Sequence, residues 1–274
     1  MAKNGNQGGS DHAVRVFRVQ RAFTELEGQV HGPGELAEAT GLDDSTVHRI
    51  LQSGIYDGIF AREGRGLYRL GSGAARLGLK ALTHAPNTAE AHGVLEEMRK
   101  ATDGGLVFLF GLAPFGGARK QCLDMAVGDS DLAELGISRR ALLTVFQSLR
   151  TGACGRAILA HLPEVIQEGV LAEPLPADAG PGAFRDEEAL LASLRAVREQ
   201  GVAIDSEECA ADWNGLAVPV GWDGLIMGSV AVLKPKEAMP QWTAGILGAM
   251  KGAAKAFTEA GGLGAWSSET ASSF

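Results

Sequence analysis

The chain is poor in cysteine and has no long apolar run, and these shortages narrow its class before any motif is read. Three cysteines in 274 residues cannot staple a disulfide scaffold. With no CxxC pair, no HExxH and no close Cys–His spacing, they give no zinc signature either. A reducing compartment, the cytoplasm, is expected, and no metal or cofactor. No apolar stretch reaches the ~18 residues of a membrane span, and the opening MAKNGNQGGSDH lacks the apolar core of a secretory signal. Basic charge is also short: 25 Lys+Arg against 33 Asp+Glu leave a net charge of −8. Taken whole, that argues against a general nucleic-acid binder. An apolar content of 45% with 21% charged residues excludes a disordered polymer, and the length suggests about two domains.

The deficit is uneven. Residues 1–80 hold 10 basic and 9 acidic groups, net +1, and the remainder holds 15 and 24, net −9. Within residues 45–80, Arg49, Arg62, Arg65, Arg69, Arg76 and Lys80 face only Asp57 and Glu63, net +4. A compact cationic segment ahead of an acidic body can mark a nucleic-acid module, although a solvated face gives the same pattern.

The local signals in that segment are ordered. Residues 1–10 read as a flexible tail. Asp11 to about Glu27 reads as a helix anchored by Phe17 and Phe23, and Gly28 stops it. Pro33 suits the opening of a short second helix. Asp43 can N-cap a third, which turns Val47, Ile50 and Leu51 inward and leaves Ser45, Thr46, His48, Arg49 and Gln52 on other faces. Two short strands, residues 59–62 and 67–70, flank a glycine turn as a hairpin. Three helices and a basic hairpin over residues 11–70 make a winged helix-turn-helix. The third helix would offer Ser45, Thr46, His48, Arg49 and Gln52 to a major groove, and the wing would set Arg62, Arg65 and Arg69 against the sugar-phosphate backbone or the adjacent minor groove of double-stranded DNA. Helical pairs with a hairpin also serve as protein-interaction modules, and that alternative stays open.

Residues 71–86 read as a connecting helix, and residues 87–260 as a second domain of mixed helices and strands. Its elements are a helix at about 88–102, strands at about 106–112 and 121–127, and a stretch at 139–149 compatible with helix or strand. A helix opened by Gly152 and a short one at Pro163 follow. After a loop at 171–184 come an amphipathic helix at 186–200, strands at about 202–205, 216–220 and 225–233, and a last helix at about 240–260. Residues 261–274 read as a second flexible tail.

Four stretches, in order, resemble the IclR-type transcriptional regulators: GELAEATGLDDSTVHRIL (34–51), GLYRLGSGAARLG (66–78), TGACGRAILAHLP (151–163), and LRAVREQGVAIDSEE with GLAVPV (194–208 and 215–220). The resemblance implies an α+β protein: an N-terminal winged helix-turn-helix, a linker helix, and a C-terminal GAF-like α/β domain with a curved, mostly antiparallel sheet. It further implies a homodimer or dimer of dimers on operator DNA, responsive to a small-molecule effector. By match to the family's pocket, the effector would meet the backbone N–H groups of Ala153, Cys154 and Gly155 at a helix N-terminus. Asp205 would accept from a ligand hydroxyl or amine, or else stand as a surface carboxylate. Gly215, Ala231 and Leu233 occupy positions where some members carry thiols or hydroxyls, so a more apolar ligand is expected. This chain departs from the pattern at Gly54, where a leucine is usual. That glycine costs helix propensity and leaves a core position for Ile55 to cover. No enzymatic activity is expected. Cys154 with His161, and the trio Cys122, Cys154 and Cys209, are the only arrangements that could suggest one.

Overall fold

The computed structural model describes residues 11–82, 88–113, 118–128, 132, 138–145, 147–222, 224–239 and 243–259. The two tails, the end of the linker segment and the first residues of the expected last helix lie outside them. The chain forms two compact units, Met1–Thr83 and His84–Phe274.

In the first unit, α1 (Asp11–Glu25), α2 (Pro33–Thr40) and α3 (Asp44–Tyr56) precede a hairpin of β1 (Phe60–Arg62) and β2 (Tyr68–Leu70), and α4 (Ser72–Leu82) follows. The strands pair antiparallel, with Phe60 opposite Leu70 and Arg62 opposite Tyr68. Pro33 opens α2 and Gly41 closes it in the left-handed region. Val19, Ala22, Phe23, Leu36, Val47, Ile50, Leu51, Phe60 and Tyr68 share one core. Phe17, expected as an anchor, is instead 62% exposed. It stands six residues, about one and two-thirds turns, before Phe23 and so faces away from the stripe formed by 19, 22 and 23.

Gly54 corrects a second expectation. A Cβ built there would lie 2.3 Å from the Phe60 ring. The missing side chain is therefore replaced by Phe60 from the hairpin, which also stacks on Phe23 at 5.1 Å; Ile55 only flanks the cluster.

The second unit is built on a six-stranded, wholly antiparallel, curled sheet in the order β5-β4-β3-β8-β7-β6. The strands are β3 (Leu106–Ala113), β4 (Arg119–Ala126), β5 (Gln147–Ser148), β6 (Ala203–Ser206), β7 (Trp213–Trp222) and β8 (Leu225–Pro235). Period-two alternation divides β3 between two cores. Val107 and Leu109 pack under α5 (Thr88–Ala101) and α10 (Ala244–Glu259) with Leu95, Met98, Met250 and Phe257. Leu106, Phe108 and Phe110 face α7 (Gly152–Leu159) and α9 (Glu187–Gln200) with Ile158, Leu190 and Leu194. Asp186 caps α9 through the Ala189 N–H, and Gly201 ends it in the left-handed region. The stretch read as helix or strand holds both: α6 (Arg139–Thr144), then β5. Pro163 is the N-cap of α8 (Glu164–Leu171).

Candidate functional site

Asp43 builds the start of α3. Its carboxylate accepts from the Ser45 hydroxyl at 2.6 Å, the Thr46 N–H at 2.9 Å and the Thr46 hydroxyl at 2.8 Å. The Ser45 and Thr46 hydroxyls, and then the Thr46 N–H, hold the carboxyl well below its ordinary 3.8. Ser45, His48 and Arg49 stay exposed on α3, but Thr46 is buried. The expectation that Thr46 lies on an outer face is corrected: its hydroxyl is committed to the cap, and it accepts a long contact from Arg49 Nη2 at 3.4 Å. Gln52 is half-buried and faces the wing rather than open solvent. Its Oε1 accepts from Arg62 at 2.9 Å and its Nε2 donates to the Tyr68 hydroxyl at 3.1 Å. Arg62, Arg65 and Arg69 are exposed on the hairpin. Arg69 donates to Glu63 at 2.7 Å, so part of the wing's charge is balanced within the wing.

In the second unit, Asp205, Gly215 and Leu233 form one row across β6, β7 and β8, and Ala203, Ala217 and Ala231 the next. These rows belong to the face that packs against α7, where Ala153 and Cys154 are buried. Five of the residues matched by resemblance, Ala153, Cys154, Asp205, Gly215 and Leu233, thus meet at one end of the sheet, and Ala231 lies one pair further along. A Cβ on Gly215 would sit 3.2 Å from Asp205 Cβ and 3.3 Å from Leu233 Cγ, so the absent side chain lets its neighbours close in. Gly155 approaches the Leu149 carbonyl, 2.6 Å from where its Cβ would be. Asp205 is no surface carboxylate: it is 1% exposed. Its Oδ1 accepts from the Glu208 N–H at 2.7 Å, while Oδ2 has no hydrogen-bond partner.

Sequence reasoning missed the charged groups around this point. Glu208 accepts from the Gly152 N–H at 3.1 Å and from Arg156 Nε at 3.0 Å, and a second Arg156 nitrogen donates to its other oxygen. Both side chains are 3% exposed. Arg156 also donates to the Ile204 carbonyl and lies 4.9 Å from the Phe184 ring centre. The first N–H of α7 therefore already carries a carboxylate from the chain itself. Lys120 on β4 is 2% exposed and donates to the Thr151 carbonyl at 2.8 Å. Burial alone would push its ammonium down; the Cys154 and Cys209 sulfurs and the Asp205 carboxylate outweigh that and leave it raised. The signal for Lys120 was its place two residues before Cys122 on the same strand face. His161 does not join Cys154; its Nδ1 contacts the Ala157 carbonyl at 3.0 Å. Elsewhere in the unit an apolar cleft of about 300 Å³ lies among Leu112, Ala118, Leu162, Ile166, Gly169, Val170 and Glu173, and none of the predicted residues lines it.

Among the described residues no helix is long and apolar enough to cross a membrane. The family profile of the IclR helix-turn-helix domain matches residues 13–53, and that of the bacterial transcriptional regulator IclR C-terminal domain matches residues 141–254. Among solved structures, an IclR-type transcriptional regulator from a Silicibacter species is 24% identical over 90% of this chain and 96% of its own, with a TM-score of 0.55. An IclR homologue from Microbacterium hydrocarbonoxydans, complexed with 4-hydroxybenzoate, is 22% identical over 91% and 98%, TM-score 0.52. The Thermotoga maritima IclR is 20% identical over 89% and 97%, TM-score 0.51. No curated protein matches the chain.

Proposed function

Because the chain belongs to the IclR family of bacterial transcriptional regulators, we propose that it binds operator DNA through its first unit and tunes that binding with a small molecule held in its second. The observation that carries the DNA assignment is the exposed run Ser45, His48 and Arg49 on a capped α3, in the same unit as a wing bearing exposed Arg62 and Arg65. Arg49 is assigned to a base edge, with Ser45 and His48 as shorter contacts. Arg62, Arg65 and Arg69 are assigned to sugar and phosphate. Gln52 and Thr46 act through the contacts they already make, holding the wing and the cap. The protein works as a homodimer or dimer of dimers on paired half-sites, in the cytoplasm, without catalysis.

The effector is assigned to the end of the sheet where Asp205, Gly215, Ala231 and Leu233 face the start of α7 with Ala153, Cys154 and Gly155. Gly215, Ala231 and Leu233 make that wall apolar, and Asp205 Oδ2 supplies one acceptor. A ligand with an apolar body and a donor group fits those features, and the 4-hydroxybenzoate complex of the Microbacterium relative supports a small aromatic. Its action requires different affinities for two states of the regulator.

Gel-shift titrations of the full chain against its own upstream DNA test the first assignment. Specific binding should weaken steeply with salt, and Arg49→Ala should cost about 1–3 kcal/mol. No shift at low salt would transfer the first unit to protein recognition. Thermal-shift screening with small aromatic phenols and acids tests the second. Stabilisation should vanish in Asp205→Asn and persist in Gly169→Leu, which fills the separate cleft; the reverse pattern would move the ligand to that cleft.

A further inference from the structure

Cys154 and Cys209 come from distant parts of the second unit and converge over a residue with no side chain. A Cβ on Gly152 would lie 2.4 Å from Cys209 Sγ, 3.5 Å from Asp205 Oδ2 and 3.8 Å from Cys154 Sγ. Gly152 has φ +78°, so the backbone itself requires glycine there, and any side chain would separate the sulfurs. Cys154 rides on the first turn of α7. Cys209 rides on the connection between β6 and β7, where Glu207 (φ 59°) and Asp212 (φ 63°) hold the left-handed region without being glycine. Two further groups make this more than a pair of core thiols. Buried Lys120 interacts with Cys154, and Asp205 Oδ2 is a buried acceptor with no partner.

We propose that Cys154 and Cys209 form a dithiol site that reduces hydroperoxides and closes to an intramolecular disulfide. Cys154, beside the Lys120 ammonium, supplies the attacking sulfur. Its sulfur takes the terminal oxygen of ROOH, the O–O bond breaks, and the other oxygen leaves as ROH after taking a proton. The product is a sulfenic acid on Cys154. Cys209 then attacks that sulfur. Its proton passes to Asp205 Oδ2 and on to the departing oxygen, which leaves as water while the S–S bond forms. In sum, two thiols lose two electrons to the hydroperoxide, and one ROH and one water are released. Burial, then Asp205, pushes the Cys209 thiol well above its ordinary 9.0, so its proton must be taken up as it attacks, which is the part assigned to Asp205 Oδ2. Cys209 is partly exposed where Cys154 is buried. Cys122 stands outside the pair, its thiol pushed up to about 12 by burial. The disulfide would pin the β6–β7 connection to the start of α7.

The test uses the full, reduced chain and does not depend on DNA binding, so it can fail without touching the proposed function. One arm receives equimolar hydrogen peroxide and a second an organic hydroperoxide, which shows whether a small or a bulky oxidant is taken. Free thiols are then blocked and the peptides are mapped by mass. The expected result is a loss of two of the three thiols and one dithiothreitol-reversible cross-link joining Cys154 to Cys209. Cys122→Ser should leave that cross-link intact, and Cys154→Ser and Cys209→Ser should each abolish it. Three thiols still free, a cross-link through Cys122, or over-oxidation of Cys209 without a cross-link would each overturn the proposal. The wild-type map decides even where a cysteine variant does not fold.

Discussion

Gln52 on α3 accepts a hydrogen bond from Arg62 on β1 at 2.9 Å, and its amide donates onward to Tyr68 on β2 at 3.1 Å. One side chain thus ties the third helix to both strands of the wing. The helix therefore carries the wing's strands at a fixed distance, and Arg62 is presented as part of the helix surface. Gln52→Ala and Arg62→Ala should each weaken operator binding, and their combined loss should fall short of the sum. The coupling expected for one charge-assisted bond between partly exposed groups is about 0.5–1.5 kcal/mol. A double-mutant cycle read by gel shift at fixed salt measures it; strict additivity would mean the two act separately on DNA.

Glu63 sits on the wing and takes the Arg69 guanidinium at 2.7 Å, with both side chains about half exposed. Such a pair adds little to stability, but it removes a cation from the duplex. Glu63→Gln should leave the melting temperature nearly unchanged. It should raise DNA affinity at low salt and steepen the salt dependence by up to about 0.9 in log–log slope, one phosphate's worth. Titration over a salt series separates this from a general rise in affinity.

Asp43 gives the acid-side prediction. Its folded value lies below the ordinary 3.8, so its contribution is complete above that value and is lost as pH falls through the folded one. Asp43→Asn, which keeps the size but not the charge, should therefore lower stability at neutral pH. The gap from wild type should narrow by about pH 3. Urea melts of the full chain followed by helix signal at the two pH values check the sign; a gap that widens in acid would contradict it.

Local signals carried the fold further than they carried the site. The cap at Asp43, the Pro33 start of α2 and the Gly201 end of α9 are each determined within four residues, so they are legible in the chain. The strands are legible because alternation and apolar runs report burial directly. Asp205, Gly215 and Leu233 were picked out by resemblance, and strand register explains why they meet. Arg156 and Glu208 stand 52 residues apart, and Lys120 reaches a carbonyl 31 residues on. No local rule joins such groups; only the folding of α7 over the sheet does. Helix rotation accounts for Thr46 and Phe17: Thr46 lies near the edge of its stripe, where a small turn buries it, and Phe17 stands on the face opposite Val19, Ala22 and Phe23.

Gly54 shows how a local rule can mislead in sign. By helix propensity alone, Gly54→Ala should stabilise α3 by about 1 kcal/mol. The new Cβ would instead fall 2.3 Å from the Phe60 ring, which is 2% exposed and held by Phe23. Overpacking of this kind costs about 1–3 kcal/mol, so the propensity gain is cancelled or outweighed and a net loss of up to about 2 kcal/mol is expected on unfolding in urea. Adding Phe60→Leu to Gly54→Ala should recover part of it. Simple stabilisation by Gly54→Ala would show that the ring moves aside freely.

The Arg156–Glu208 pair poses the reverse question, because both charges are buried and the pair spans α7 and the β6–β7 connection. Removing one partner strands the other. Arg156→Met should cost about 3–5 kcal/mol, the range for an uncompensated buried charge. Replacing both, Arg156→Met with Glu208→Leu, removes the stranded charge and should regain much of that loss. Recovery should stop short of wild type, because Glu208 also accepts the Gly152 N–H at 3.1 Å. Left without that acceptor, the buried N–H costs about 1–3 kcal/mol. Urea unfolding of the single and double variants therefore separates two roles of one carboxylate. Full recovery would make Glu208 only a counter-ion to Arg156. A residual deficit of that size would make it the cap that holds the first turn of α7 in place above Asp205.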